Sequence, residues 1–123
     1  MAAKRIFLLI AHKAFREALV SVLDEEPDLE VVLQAGSLAE ALNLDHNIDL
    51  ALVDPSLPDG DGLVVVRELS RNTANAAVAV VLASSGPDVS VIERAYEAGS
   101  ARVLSTSSSL QEVVDAIRSS TLE

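Results

Sequence analysis

Apolar residues along the chain fall into five short runs that are separated by polar stretches. The runs cover residues 5–11, 29–35, 48–53, 78–83 and 101–104, and their length is typical of β-strands. Between them, apolar residues recur three or four positions apart, as on one face of an α-helix, in segments 15–23, 38–42, 63–69, 89–96 and 110–117. The pattern predicts strands and helices that alternate along the chain.

Strands that are apolar almost throughout are typical of a parallel sheet, because helices cover both of its faces. The pattern therefore predicts a doubly wound α/β fold with a five-stranded parallel sheet and five helices. Helix-end signals agree with this prediction. Ser37 and Ser109 stand at expected N-caps. Gly99 stands where the fourth helix is expected to end.

Length and composition limit the possible functions. The chain has 123 residues, half of them hydrophobic, which fits one compact domain over residues 1–118, with 119–123 as linker or tag remnant. No cysteine is present, which excludes disulfides and thiolate metal sites. The apolar run at 6–11 is too short to span a membrane, so we expect a soluble, cytoplasmic protein without membrane contact. The net charge of -10 opposes direct nucleic-acid contact by this domain.

Ligands and reactive groups in open parallel sheets gather beyond the carboxyl ends of the strands. Only one predicted strand end carries a carboxylate, Asp54, which opens the segment DPSLPDGDG at 54–62. This segment resembles the third strand and following loop of a response-regulator receiver domain, in which the equivalent aspartate accepts a phosphoryl group. The match rests on Asp54, Pro58, Asp61 and Gly62.

The resemblance covers almost the whole chain and favours receivers of the NarL/LuxR type. It includes the segments REAL at 16–19, EPDLEVV at 26–32 and AGSA at 98–101. It implies the flavodoxin-like receiver fold with strand order 2-1-3-4-5. In that family a histidine kinase is the usual phosphodonor partner, and a helix-turn-helix DNA-binding domain follows the receiver.

Most of the residues that carry out phosphoryl transfer in the family are replaced in this sequence. The two acidic Mg²⁺ ligands fall on Ile10 and Ala11, and the hydroxyl after the fourth strand falls on Ala83, next to Ser84. The lysine after the fifth strand falls on Thr106 and the switching aromatic on Val103. One carboxylate beside two apolar side chains makes a poor Mg²⁺ site. We therefore expect weak or no Mg²⁺ binding, and no other metal or cofactor.

Two alternatives remain open for Asp54. It is either a weak phospho-acceptor or a relic that caps the turn imposed by Pro55 and Pro58. A more specific hypothesis pairs Lys13 with Asp54 in place of the missing cation. Ser56, two residues further on, completes the predicted pocket.

The other polar residues do not indicate a catalytic or metal site. Asp59 and Asp61 do not have EF-hand spacing and are expected in a solvated turn before a helix. His12 and His46 are expected in exposed loops without metal-ligand spacing. Hydroxyls at the same rim, which could bind a small polar ligand, are Ser84, Ser85, Ser105, Thr106 and Ser107.

These observations favour a non-enzymatic pseudo-receiver that acts through protein partners or as a homodimer, independently of phosphate. One alternative is a slow phospho-receiver that uses Asp54, and another is a module that binds a small ligand in the altered pocket. The resemblance implies a contact surface on the fourth helix, fifth strand and fifth helix. Its candidate residues are Glu93, Arg94, Glu97, Arg102, Val103 and Arg118.

Overall fold

The structure, a computed structural model, describes residues 3–42, 48–71, 78–83, 89–100, 102–105 and 110–120. Within these residues, strands and helices alternate as predicted. The strands are β1 (Lys4–Leu9), β2 (Leu29–Ala35), β3 (Leu50–Val53), β4 (Val78–Ala83) and β5 (Arg102–Ser105). The helices are α1 (Lys13–Asp24), α2 (Leu38–Leu42), α3 (Leu63–Arg71), α4 (Val89–Ala98) and α5 (Leu110–Ser120). Between β3 and α3, a small hairpin pairs Ser56–Leu57 with Gly60–Asp61.

The five described strands form one parallel sheet in the order β2-β1-β3-β4-β5, which confirms the predicted fold and strand order. The register between β1 and β2 shifts by one residue between Ile6 and Phe7, so that Val32 has no counterpart in β1. Because the strands are parallel, their carboxyl ends meet at one edge of the sheet. That edge holds Asp54.

Two strands, β2 and β4, have the predicted bounds, and the other three differ at their ends. β1 ends at Leu9 rather than at residue 11, because the chain turns there toward α1. β3 begins at Leu50 because two hydrogen bonds with Arg5, each 2.8 Å long, hold Asp49 in a bend. β5 covers Arg102–Ser105, one residue later than predicted.

The core has two halves, one on each face of the sheet. Successive residues of a strand point to opposite faces, so each strand contributes to both halves. In β1, Phe7 and Leu9 are buried on the face covered by α2, α3 and α4. Ile6 and Leu8 are buried on the face covered by α1 and α5. This double cover explains why the strands are apolar at nearly every position.

Helix α4 buries a different face from the one that the apolar spacing predicts. Val89 and Tyr96, predicted to face the core, are 69% and 51% exposed. Ala95 and Ala98 are buried instead, at 0% and 2% exposure. Small side chains let the helix lie close to the sheet, and the larger apolar residues are left on its flank. The prediction for this face was wrong.

The predicted helix ends agree with the structure wherever they are described. The Ser37 hydroxyl accepts a hydrogen bond from the Glu40 N–H (3.3 Å), as an N-cap does, and the Glu40 carboxylate accepts one from the N–H of Gly36, the residue before the cap (2.7 Å). Gly99 ends α4 with a φ of 113°, which glycine adopts at little cost. Ser109 lies outside the described residues.

Helix α5 continues to Ser120, two residues beyond the predicted domain boundary at 118. The boundary itself stays a prediction. Of the helices that the structure describes, none has both the length and the apolar character that crossing a membrane requires.

Candidate functional site

Asp54 follows β3 directly and lies half-buried at the carboxyl edge of the sheet. Its N–H donates to the Leu9 carbonyl (2.8 Å), which extends the pairing of β3 with β1 by one residue. Its carboxylate accepts two backbone hydrogen bonds, from the Ala11 N–H to Oδ2 (3.3 Å) and from the Ser56 N–H to Oδ1 (2.9 Å). The carboxylate thus holds together the loop after β1 and the loop after β3.

The loop after β1 presents no carboxylate to Asp54. Ile10 is 2% exposed and belongs to the core half under α1 and α5, whereas Ala11 is exposed with only a methyl group. His12 is exposed, as predicted, and has a structural role as the N-cap of α1. Its Nδ1 accepts a hydrogen bond from the Phe15 N–H (3.2 Å). His46 lies outside the described residues.

The hypothesis that Lys13 pairs with Asp54 is wrong. Lys13 is the first residue of α1 and its side chain is exposed. Among the described residues, the structure forms no ion pair between these two side chains. Two backbone N–H groups already donate to the Asp54 carboxylate, one to each oxygen.

Arg16 is a residue of this corner that sequence analysis missed. It is half-buried in α1, and its guanidinium donates a hydrogen bond to the Ile10 carbonyl. Its Nε is buried without a hydrogen-bond partner in the described part of the chain. The side chain therefore fixes the turn between β1 and α1. No periodicity indicates this contact, because it joins a side chain to the main chain across a turn.

The described ends of β4 and β5 carry apolar side chains and one hydroxyl. Ala83 is 2% exposed, and Val103 is half-buried against the core half under α4. Ser105, at the end of β5, is half-buried. The remaining predicted pocket and rim residues lie outside the described residues: Ser84, Ser85, Thr106 and Ser107.

The hairpin after Asp54 packs tightly against it. Ser56 is exposed and Leu57 is buried in the core. The Gly62 N–H donates to the Pro55 carbonyl (3.0 Å) and closes the loop. A Cβ on Gly62 would lie 2.1 Å from the Asp54 carbonyl oxygen, so only glycine fits there without a shift of the main chain.

Asp59 does not lie free in its turn. Its carboxylate accepts hydrogen bonds from the N–H groups of Leu38 (2.8 Å) and Ala39 (3.0 Å), twenty-one and twenty residues away. It therefore caps α2 from a distant loop. These bonds, that of Leu38 first, lower the pKa of the Asp59 carboxyl below its usual value. Asp59 is exposed in the turn, as predicted, but the helix that it caps is α2, and sequence spacing cannot reveal a cap from another loop.

Asp61 caps α3, as its predicted position before a helix suggests, and also contacts α4. Its Oδ1 accepts from the Leu63 N–H (2.9 Å) and its Oδ2 pairs with Arg94 Nη1 (3.1 Å). Both partners of this ion pair are about half-exposed, at 53% and 44% for the arginine and aspartate side chains. Such a pair contributes little to stability by itself.

The side chains around Asp54 do not fit a Mg²⁺ site. The ion prefers six oxygen ligands in octahedral geometry, usually with one or two carboxylates and several waters. Here Ile10 and Ala11 supply no side-chain oxygen, and the oxygens of Asp54 accept backbone N–H groups. Among the described residues, no three His, Asp or Glu side chains are grouped as metal ligands.

The six residues of the predicted contact surface do not all lie together. Glu93, Glu97 and Arg102 are exposed on α4 and β5. Arg94 instead pairs with Asp61, on the side of α4 that faces α3.

Arg118 also faces away from the predicted surface. From α5 it binds Asp28 through two hydrogen bonds (2.9 and 3.0 Å) and forms an ion pair with Glu26, both in the turn before β2. These partners, Asp28 first, raise the pKa of the Arg118 guanidinium, and the same contact lowers the pKa of Asp28. The placement of Arg118 on the surface of α4, β5 and α5 was wrong, because this turn carries acidic partners for it.

Comparison with known proteins agrees with this fold. The family model of the response regulator receiver domain matches residues 7–118. Response regulator UvrY of Escherichia coli is 28% identical over 116 residues, which are 93% of this chain and 52% of UvrY. The DNA-binding transcriptional activator DevR/DosR of Mycobacterium tuberculosis is 40% identical over 67 residues, 53% of this chain and 31% of that protein. The chain thus spans about half the length of UvrY and less of DevR/DosR.

Solved structures show the same relationship. The signal receiver domain of the putative response regulator NarL from Mycobacterium tuberculosis superposes with a TM-score of 0.88 and 26% identity, covering 98% of each chain. A LuxR-family two-component response regulator from Aurantimonas sp. gives a TM-score of 0.84 and 25% identity, covering 98% of this chain and 86% of that one. With five parallel strands in the receiver order and an aspartate at the end of β3, the chain belongs to the response regulator receiver domain family, and its relatives include members of the LuxR/NarL type.

Proposed function

We propose that this receiver domain transmits signals through protein contacts without phosphorylation of Asp54. The observation that carries the proposal is the state of the Asp54 carboxylate, which accepts two backbone N–H groups and faces no second carboxylate across the described loop after β1. In this arrangement Asp54 acts as a brace between two loops. In this proposal the carboxylate has a structural role instead of the role of phospho-acceptor, which requires a bound cation.

The chemistry of phosphoryl transfer supports this proposal. The reaction depends on positioning and on neutralising charge at the transferred group, and loss of one such donor costs about 100-fold to 1,000-fold in rate. In this sequence Ile10 and Ala11 stand in place of the family's acidic pair. Ala83 stands in place of its hydroxyl and Thr106 in place of its lysine. Effects of this kind are not additive, but their combined loss leaves little catalysis.

Intact-mass measurement after incubation with acetyl phosphate and Mg²⁺ tests the proposal directly. We expect no phosphoryl adduct on the natural chain, in a run in which an ordinary receiver is modified alongside. An adduct that the Asp54→Asn variant lacks would overturn the proposal. That result would instead support the second candidate, a slow phospho-receiver that a histidine kinase phosphorylates. The half-exposed position of Asp54 at the sheet edge favours this candidate.

We further propose that the domain forms a homodimer through α4, β5 and the adjoining side of α5. On this surface, Val89 and Tyr96 expose apolar area beside the carboxylates of Glu93 and Glu97 and the guanidinium of Arg102. In a twofold dimer each surface meets a copy of itself, so acidic α4 of one copy can face basic β5 of the other. This combination of apolar area and complementary charge supports self-association.

The charge of the chain supports a protein rather than a nucleic-acid partner. Nineteen acidic residues against nine basic ones repel a phosphate backbone. We therefore place no direct nucleic-acid contact on this domain. Control of transcription would require an attached or partner output domain, as in the longer regulators to which the chain is similar.

A further inference from the structure

The hairpin Ser56–Asp61 contacts three helices, α2, α3 and α4. At its tip, Asp59 caps α2 through both carboxylate oxygens. At its end, Asp61 caps α3 and pairs with Arg94 of α4. The loop that follows Asp54 is therefore attached to both α2 and α4.

Apolar and main-chain contacts add to these polar ones. A Cβ on Gly60 would lie 2.6 Å from Leu38 Cδ1, so the Leu38 side chain of α2 lies directly over the hairpin backbone. Leu57 is buried in the same core half that Leu38 packs against. At the base, the Ser56 N–H donates to Asp54 (2.9 Å). The hairpin is thus held by contacts at its base, at its tip and at its end.

We propose that this hairpin couples α4 to α2, so that loss of the Arg94–Asp61 contact loosens the first turn of α2. Two groups at which receivers of this family switch, the hydroxyl after β4 and the aromatic on β5, are Ala83 and Val103 here. Through the hairpin, a partner that docks on α4 can act on α2, which covers the same face of the sheet. The coupling goes beyond the proposed function and does not depend on whether Asp54 accepts phosphate.

Hydrogen exchange at the amides of Leu38 and Ala39 measures the coupling, because both amides donate to Asp59. We expect Asp59→Asn to accelerate their exchange. We expect Arg94→Gln, which touches neither amide, to accelerate it by a smaller factor of roughly twofold or more, as local opening becomes easier. The double variant should exchange no faster than Asp59→Asn alone, since Arg94 acts through that cap.

Lys13→Gln is the matched control, because it removes one positive charge from an exposed side chain on α1, which covers the opposite face of the sheet from α2 and α4. It should leave both amides unchanged. The amide of Leu52, in the buried strand β3, reports whether a variant is still folded. Unchanged Leu38 and Ala39 exchange in Arg94→Gln, equal acceleration in Lys13→Gln, or additive effects in the double variant would each overturn the coupling.

Discussion

Three aspartates of the loop after β3 have ordinary sequence surroundings but different partners. Asp54 accepts hydrogen bonds from main-chain N–H groups of the loop after β1 and of its own loop. Asp59 accepts them from the first turn of α2. Asp61 accepts one from α3 and pairs with Arg94. In each case the carboxylate satisfies main-chain N–H groups that would otherwise be unpaired. At the scale of single residues, negative charge in this loop serves structure.

Asp59 should show this role in its titration. Its pKa in the folded protein lies below the usual value of 3.8, because Leu38 and Ala39 donate to the charged form. The stabilisation is therefore complete above the unfolded pKa and is lost as pH falls through the folded pKa. We expect the Asp59 carboxyl carbon, followed by NMR, to titrate below 3.8, and the stability of Asp59→Asn to change less steeply with pH in that range. A midpoint at or above 3.8 would contradict the cap.

The sequence predicts the position of Asp54 but not its partners. The strand pattern places Asp54 at the end of β3, since a run of apolar residues stops there. The partners of Asp59 and Arg118 are separated from them by tens of residues, and both contacts depend on how loops fold back on the sheet. Periodicity carries no information on such contacts, which is why the Lys13 pairing and the Arg118 surface position were wrong.

At the scale of elements, strand and helix order follows from the apolar pattern, whereas the rotation of α4 does not. Alternating burial on both sheet faces makes each strand recognisable as an apolar run. In α4, alanines and larger apolar residues occupy two adjoining stripes, and hydrophobicity alone favours Val89 and Tyr96. Packing distance decides instead, because Ala95 and Ala98 let the helix approach the sheet closely.

Two substitutions in α4 test this orientation. We expect Ala95→Leu to destabilise the protein by about 1–3 kcal/mol, because added methyl groups have no room in a fully buried site. Tyr96→Ala should change stability by less than about 0.5 kcal/mol, because its ring is largely exposed. Urea unfolding measures both. The reverse order of the two effects would show that α4 is rotated.

At the scale of the whole molecule, charge and exposed apolar area govern association. A net charge of -10 keeps copies apart unless complementary groups meet locally. Arg102 is the basic side chain of the proposed dimer surface, beside the acidic Glu93 and Glu97 of α4. Its sign therefore decides whether two such surfaces attract or repel each other.

Reversal of that charge should weaken the dimer. We expect Arg102→Glu to raise the dimer dissociation constant about tenfold, which corresponds to about 1.4 kcal/mol. Lys13→Glu is the matched control, since it makes the same change at an exposed site on α1. Sedimentation equilibrium at low salt, where surface charges are least screened, measures both. An equal effect of the two variants would assign the change to net charge rather than to this surface.

The register shift beside Val32 has a consequence for how copies of the chain can meet. β2 is an outer strand of the described sheet, and such a strand can template edge-to-edge pairing with another chain. Here the unmatched Val32 bends the strand, and Glu30 and Gln34 are exposed on either side of it. Two β2 edges therefore make a poor continuous ladder, and the charge on Glu30 sets like against like. We therefore expect this edge to resist edge-to-edge pairing with a second copy of the chain.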